Sequence, residues 1–257
     1  MERIGIVERK TRTRVFDEGN FRGYTEYLIE TEAGPRPAPQ AFLVHQQPGW
    51  VLPTHFHLEE QFQVVTRGGG TLGAHALDAV SIHYASREAG YGPLVAGPEG
   101  LDYLTLRTVT DPGAWYLPES REKMRKGLRK RQESVGPIHV STSASLAGLA
   151  QPITEVLIAS DASGLAAWVV RVPPCGRATA PAQRDSGGRY HVVVSGALVA
   201  HGEALGPPAC VWHSGDEAPM ALHAGAAGLE VLVLQYPAFA LDPEPQRMPR
   251  RTPGTGA

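Results

Sequence analysis

Two cysteines, Cys175 and Cys210, are all that 257 residues contain. A disulfide framework and a cysteine-based zinc site are excluded, and both thiols are expected to be free, buried and inert. No apolar run approaches the roughly 20 residues that cross a bilayer, and the start, "MERIGIVERKTRTRV", has no apolar signal core. The expected setting is a soluble, cytoplasmic protein with no membrane partner. A surplus of one charge is missing as well, with 24 Lys and Arg against 26 Asp and Glu. That balance creates no global field for nucleic acid, so a small molecule or a protein chain is the expected partner. There is no Walker loop and no nucleophile elbow, and the glycines of "TRGGGTLGAH" follow a strand without opening a helix.

What the chain does have is punctuation. Its 29 Gly and 22 Pro are spread between short apolar runs such as "AFLVHQ", "QFQVVT", "LDYLTLR", "AAWVVRV", "RYHVVV" and "LEVLVLQY". This rhythm predicts an all-β sandwich or barrel. One segment reads as helical: "PESREKMRKGLRKRQES", residues 118–134, opens on Pro118 and Glu119 and carries seven basic residues, although Gly127 interrupts it. A solvated connecting helix is predicted there. An internal repeat surrounds it, because "GLDYLTLR" at 100–107 returns as "GLEVLVLQ" at 228–235, and "QFQVVTRGG" returns as "RYHVVVSGA". The predicted organisation is a first β-domain over 1–115, a basic helical linker over 116–138, a second β-domain over 139–241, and a Pro-rich, mobile tail over 242–257.

Within the first domain, "PGWVLPTHFHLEEQFQVVTRGGG" places His55 and His57 two apart in a strand-like run, so both imidazoles face one way. Gly49, five residues, His55-Phe56-His57, three residues, Gln61, six residues and Gly68 follow the spacing of the first cupin motif, with Gln61 where that motif has Glu. The first half resembles a cupin, and the whole chain resembles a two-domain bicupin. The resemblance implies two jelly-roll barrels in tandem joined by a short helical linker. It also implies a homodimer, and a divalent metal (Fe, Mn, Ni or Zn) on His55 and His57. It carries over a changed third ligand, Gln61, and no fourth, because the second motif lacks its histidine near Tyr91 or Gly92.

A neutral carboxamide is a weaker donor than a carboxylate, so a loose or absent metal is expected. Two residues could compensate. His83 in "AVSIHYAS" could approach from another wall, and Glu59 shares strand parity with the histidines unless a bulge cancels it. Gln63 shares the face of Gln61. In the closing strand Tyr103, Thr105 and Arg107 share one parity and Leu104 and Leu106 the other. With the polar parity inward, Tyr103 and Arg107 would grip a carboxylate or enol oxygen; with the leucines inward they would face solvent. His45 is a candidate at one remove from the site. In the second domain the motif positions become Ala182, Arg184 and Arg189, and His191 and His223 fit no motif position. Arg184, Arg189 and His191 could form an anion pocket, or the domain could be purely structural.

Two functions remain open at this point. One is a metal-dependent cupin acting on a small organic acid or aromatic compound, as a dioxygenase, isomerase or lyase. The other is a small-molecule-binding or structural bicupin without metal.

Overall fold

Leu104 and Leu106 alternate with Tyr103, Thr105 and Arg107, and all five are buried. A strand buried on both faces needs a core on each side, and the architecture supplies two. The computed structural model describes residues 3–30, 38–128, 130–182 and 186–238. The first half runs through β1 (Arg3–Gly5), β2 (Arg12–Phe16), β3 (Gly23–Ile29), β4 (Gln40–Gln46), β5 (Val51–Leu52), β6 (His55–Phe56), β7 (Gln61–Leu72), β8 (His75–Asp78), β9 (Ile82–Ala85), β10 (Leu94–Arg107), β11 (Trp115–Tyr116) and β12 (Gln132–Val135). After the one-turn helix α1 (Ser143–Ala147), the second half runs through β13 (Ile153–Ile158), β14 (Ala166–Val172), β15 (Arg177–Thr179), β16 (Ser186–Ala200), β17 (Glu203–Leu205), β18 (Cys210–His213) and β19 (Ala221–Pro237).

Two antiparallel sheets result. The first is ordered β12-β9-β7-β10-β4-β3-β2 and the second β1-β18-β16-β19-β14-β13, so β7/β10 and β16/β19 form matching central pairs. β1 belongs to the second sheet, on β18, which differs from the sequence-based division at residue 115. The repeat is visible in backbone detail. Gly68 and Gly196 both take a positive φ, and a Cβ on either would lie 2.2 or 2.1 Å from the carbonyl oxygen of Gly100 or Gly228. Only glycine permits that approach between neighbouring strands.

The alternation in each central strand divides its side chains between two cores. Leu104, Leu106, Phe62, Val64, Tyr190, Val192, Leu232, Leu234 and Tyr236 build one apolar core shared by both sheets. Val65, Leu101 and Tyr103 face the interior of the first barrel, and Val193, Val231 and Val233 that of the second. Both readings of "LDYLTLR" therefore meet in one strand: the leucines make a core, and the polar parity faces a barrel.

The predicted helix over 118–134 is not formed. Helix there is confined to a 3-10 turn, Arg121–Lys123, and Gln132–Val135 is a strand that pairs with β9. Met124 and Leu128 alone offer too narrow an apolar stripe to hold a helix by packing, and Gly127 sits at φ +77°. Nor is the basic cluster simply solvated, since Arg125 pairs with Glu88, and Arg131 with Glu133 and Asp161. Of the two free thiols expected to be buried, Cys210 is, whereas Cys175 is exposed in the turn after β14. Residues 242–257 and Arg184 lie outside the described residues.

Two tyrosines of the second sheet close the interface on the end of β10. The hydroxyl of Tyr236 donates to Leu106 O at 2.6 Å and accepts from Phe62 N at 3.3 Å, while that of Tyr190 donates to Arg107 O at 3.1 Å. A buried phenol needs such partners, and removing it strands theirs. Tyr236→Phe is expected to cost about 1–3 kcal/mol of stability in urea denaturation; an unchanged midpoint would show that these bonds contribute nothing.

Candidate functional site

His55 stands at the start of β6, where its backbone forms a bridge with Tyr91, N–H to carbonyl in both directions at 3.1 and 2.9 Å. The bridge places the Tyr91 ring 4.5 Å from the His55 ring, centroid to centroid. Gln61 opens β7 directly across from Arg107 at the end of β10, and Arg107 faces Gln40 at the start of β4. Three strand ends therefore gather at one rim of the first barrel. The loop after β10 adds Asp111, whose side chain accepts from Gly113 N at 2.7 Å in the turn "DPG".

These side chains form a continuous hydrogen-bonded chain. Nδ1 of His55 donates to Pro53 O at 2.8 Å, which leaves its Nε2 to accept from the Tyr91 hydroxyl at 3.0 Å. That hydroxyl accepts in turn from Nε2 of Gln61 at 2.5 Å. Oε1 of Gln61 accepts from Nε and Nη2 of Arg107 at 3.2 and 3.0 Å, and Nη1 of Arg107 reaches Oε1 of Gln40 at 3.3 Å. Asp111 lies 3.7 Å from Nη1 of Arg107 and 2.9 Å from Nδ1 of His57, and it also accepts from Leu58 N at 2.9 Å. Nη2 of Arg107 is 3.1 Å from the same His57 Nδ1. A guanidinium only donates, so a protonated Nδ1 directed at Asp111 makes this second approach a contact and not a bond. The His57 hydrogen bonds of clear geometry are made at Nδ1, and the Gly113 backbone also lies against the ring.

Burial and charge set the protonation states. Burial lowers His55 to about 3, with His57 and Arg107 adding to the effect. Burial and then Arg107 also lower His57, against the opposing pull of Asp111. Burial alone would raise Asp111, yet Arg107, His57 and the Gly113 amide hold it down at about 2. Burial pushes Tyr91 above the ordinary phenol range. At neutral pH the cluster therefore contains one cation, one carboxylate, two neutral imidazoles and a neutral phenol.

The residues expected from sequence divide into two groups. His55, His57, Gln61 and Arg107 meet at this rim. Tyr103 and His83 lie deeper, lining a narrow void with Gln63, and His83 Nδ1 is 2.9 Å from the Ser134 hydroxyl. Tyr91, 5.2 Å from the His83 ring, is the link between the two levels. Glu60 is turned the other way, buried against Tyr84 and Arg87. Residues 58–60 form a bend, which breaks the strand parity that would have carried Glu59 to the histidines. His45 lies on the other face of β4, between Glu26 and Asp102. Asp111 escaped the sequence reading; its one signal is the Asx turn four residues after Arg107. In the second barrel Arg189 and His191 share one inward face, and His223 pairs away from them, opposite Arg177.

The donor set does not fit a divalent metal. Among the described residues no three His, Cys, Asp or Glu side chains converge. Nε2 of His55 already accepts from Tyr91, and the carboxamide oxygen already accepts from a guanidinium.

No protein-family model matches the chain, and no curated protein is detectably similar in sequence. Solved structures do match over most of its length. Escherichia coli YhhW, a bacterial pirin also solved in complex with nickel(II), superposes in that complex with a TM-score of 0.54 at 14% identity, over 92% of this chain and 99% of its own. Lactobacillus farciminis oxalate decarboxylase, in a formate complex, gives 0.57 at 15% identity over 91% and 86%. Salicylate 1,2-dioxygenase of Pseudoaminobacter salicylatoxidans, with gentisate, gives 0.55 at 13% identity over 91% and 81%. Among the described residues no helix is long and apolar enough to cross a membrane.

The buried neutral histidines predict an acid-sensitive fold. His55 and His191 are held at about 3 and His83 at about 4, all by burial first. Between about pH 6.5 and pH 4 the unfolded chain binds a proton at each that the folded chain does not, so stability falls as pH falls. Each residue contributes ~1.4 kcal/mol per pH unit to that slope. Urea denaturation at pH 7, 6 and 5 should show His55→Gln with a slope one proton shallower than wild type; equal slopes would contradict a neutral His55.

Proposed function

We propose that this cupin-fold protein handles a small organic acid at the rim of its first barrel by proton transfer through His57, without a metal. The observation that carries the reading is the His57 and Asp111 pair. A carboxylate on Nδ1–H fixes the tautomer and leaves Nε2 with a lone pair, the state a general base requires. His57 is also the histidine of the pair with access, its side chain 10% exposed where Asp111 is fully enclosed. Burial, and then Arg107 beside it, keep the imidazole neutral in the resting state, and Arg107 favours an enolate once a proton has left carbon. Asp111 steadies the imidazolium that forms when Nε2 takes the proton.

The chemistry this supports is removal of a proton next to a carbonyl or carboxylate. Return of that proton at a neighbouring carbon is isomerisation, and loss of a leaving group instead is elimination. His55, Tyr91 and Gln61 position Arg107 and hold the rim closed behind His57. Family likeness at these identities extends to fold alone, so the proposal rests on this geometry and not on the neighbours' activities.

Two measurements test it. Wild type and Gln61→Glu, dialysed against Ni, Fe, Mn and Zn, should both be metal-free by elemental analysis; near-stoichiometric metal lost in His57→Ala would overturn the metal-free reading. Solvent deuterium should enter a panel of small 2-oxo and 3-oxo acids, with the rate reduced about 100-fold or more in His57→Gln. Asp111→Asn should move the His57 proton to Nε2 in imidazole nitrogen NMR and slow exchange as well. Exchange that is absent, or indifferent to His57, would refute proton transfer here.

A further inference from the structure

The second barrel repeats the Arg and Gln pair of the first with its ends exchanged. Gln61 on β7 faces Arg107 on β10, whereas Arg189 on β16 faces Gln235 on β19. The cation is again buried, 2% exposed, and Nη1 of Arg189 lies 3.4 Å from Oε1 of Gln235. On its other side Arg189 pairs in register with His213 of β18, and two residues along β16 the same face carries His191, fully buried. The rings of His191 and His213 are 6.0 Å apart.

What differs is the compensation. In the first barrel Asp111 supplies a carboxylate to both the guanidinium and the imidazole. In the second, Arg189 has only neutral acceptors, Gln235, Ser214 O at 3.5 Å and Glu217 O at 3.2 Å, all at long distance. The Glu217 carboxylate instead accepts from Ser214 N at 2.9 Å. Among the described residues no carboxylate oxygen comes within ion-pair distance of Arg189, its Nε has no partner, and neither ring nitrogen of His191 has one. The Val211 backbone lies near that ring without hydrogen-bond geometry. Buried donors in this state, beside an unbalanced charge, are costly unless something external completes them.

We propose that the second barrel is a receptor for a small carboxylate, bound between Arg189 and His191. The count of free donors matches the ligand. One guanidinium N–H and one imidazole N–H, on residues that share a face, meet the two oxygens of one carboxylate, and its charge balances Arg189. A water molecule would satisfy the donors and leave the charge. Arg189, His191, His213 and Gln235 stand on three adjacent strands, β18, β16 and β19, and the barrel interior around them is otherwise apolar, with Val193, Val211, Val231 and Val233 in one core cluster. That setting strengthens the ion pair and favours a short organic acid over a strongly hydrated polyanion. The inference is independent of the reading of the first barrel.

The probe is acetate, titrated into the full chain against chloride at matched ionic strength. Acetate should shift the imidazole nitrogen resonances of His191 saturably and raise Tm, where chloride does neither. Both effects should persist in His57→Gln, which alters the first barrel only, and weaken about tenfold or more in Arg189→Met, as for loss of a charged hydrogen bond. If Arg189→Met does not fold, His191→Phe must abolish the acetate-dependent rise in Tm. Responses equal for acetate and chloride, or retained in Arg189→Met or His191→Phe, would overturn the proposal.

Discussion

A buried guanidinium dictates the first barrel. Arg107 is 4% exposed and has five donors to satisfy, and the residues at the rim can be read as its consequences. Gln40 and Gln61 supply carboxamide oxygens, Asp111 supplies the counter-charge, and Phe42 lies under the plane at 5.3 Å. This explains why a carboxamide stands where the cupin motif has a carboxylate. With Asp111 already balancing Arg107, a second carboxylate would leave an uncompensated buried negative charge. A carboxamide also donates, and Gln61 uses that N–H to orient the Tyr91 hydroxyl toward His55. Gln61, Tyr91 and Arg107 are thereby joined in one hydrogen-bonded chain.

The second barrel takes part in that arrangement. Tyr236 and Tyr190 hold the last two carbonyls of β10, Leu106 and Arg107, so the backbone carrying the guanidinium is pinned from the other domain. Leu104 and Leu106 bury their side chains against the same partner. A separated first barrel would expose this apolar face and free the strand end that aims Arg107. The shared core is therefore a condition for the site as well as for the fold.

How much of this was legible in sequence depends on the range of each interaction. The all-β cupin fold was readable because strand alternation and turn glycines are local, and the glycine spacing around His55 and His57 reflects backbone contacts that tolerate no side chain. Arg107 was readable as one of two parities, and the two-sided burial of β10 makes both parities true. The role of Asp111 was not readable, because the partners that bring it to the site, His57 and Leu58, lie 54 and 53 residues away, and its local Asx turn marks only a loop. The helix over 118–134 was misread because charge order outweighed the missing apolar stripe, and because the acids that pair with Arg125 and Arg131 include Glu88 and Asp161, both distant in sequence. His83 was offered as a residue that could approach from another wall of the barrel, and it lies beside Gln63 and Tyr103 with Nδ1 on Ser134.

The two barrels solve the same electrostatic problem differently, and the difference bears on what each can do. In the first, Asp111 cancels Arg107 internally, so the cluster is neutral. Such a site has little to gain from binding an anion for its charge, and its chemistry must come from the lone pair that Asp111 orients. In the second, Arg189 faces a carboxamide with no carboxylate within ion-pair distance among the described residues, and His191 is a neutral neighbour in an apolar shell. That site gains directly from an external negative charge and offers no oriented base to act on it. On the proposed readings, exchanging the ends of one Arg and Gln pair would separate proton handling from anion holding within a single repeated fold.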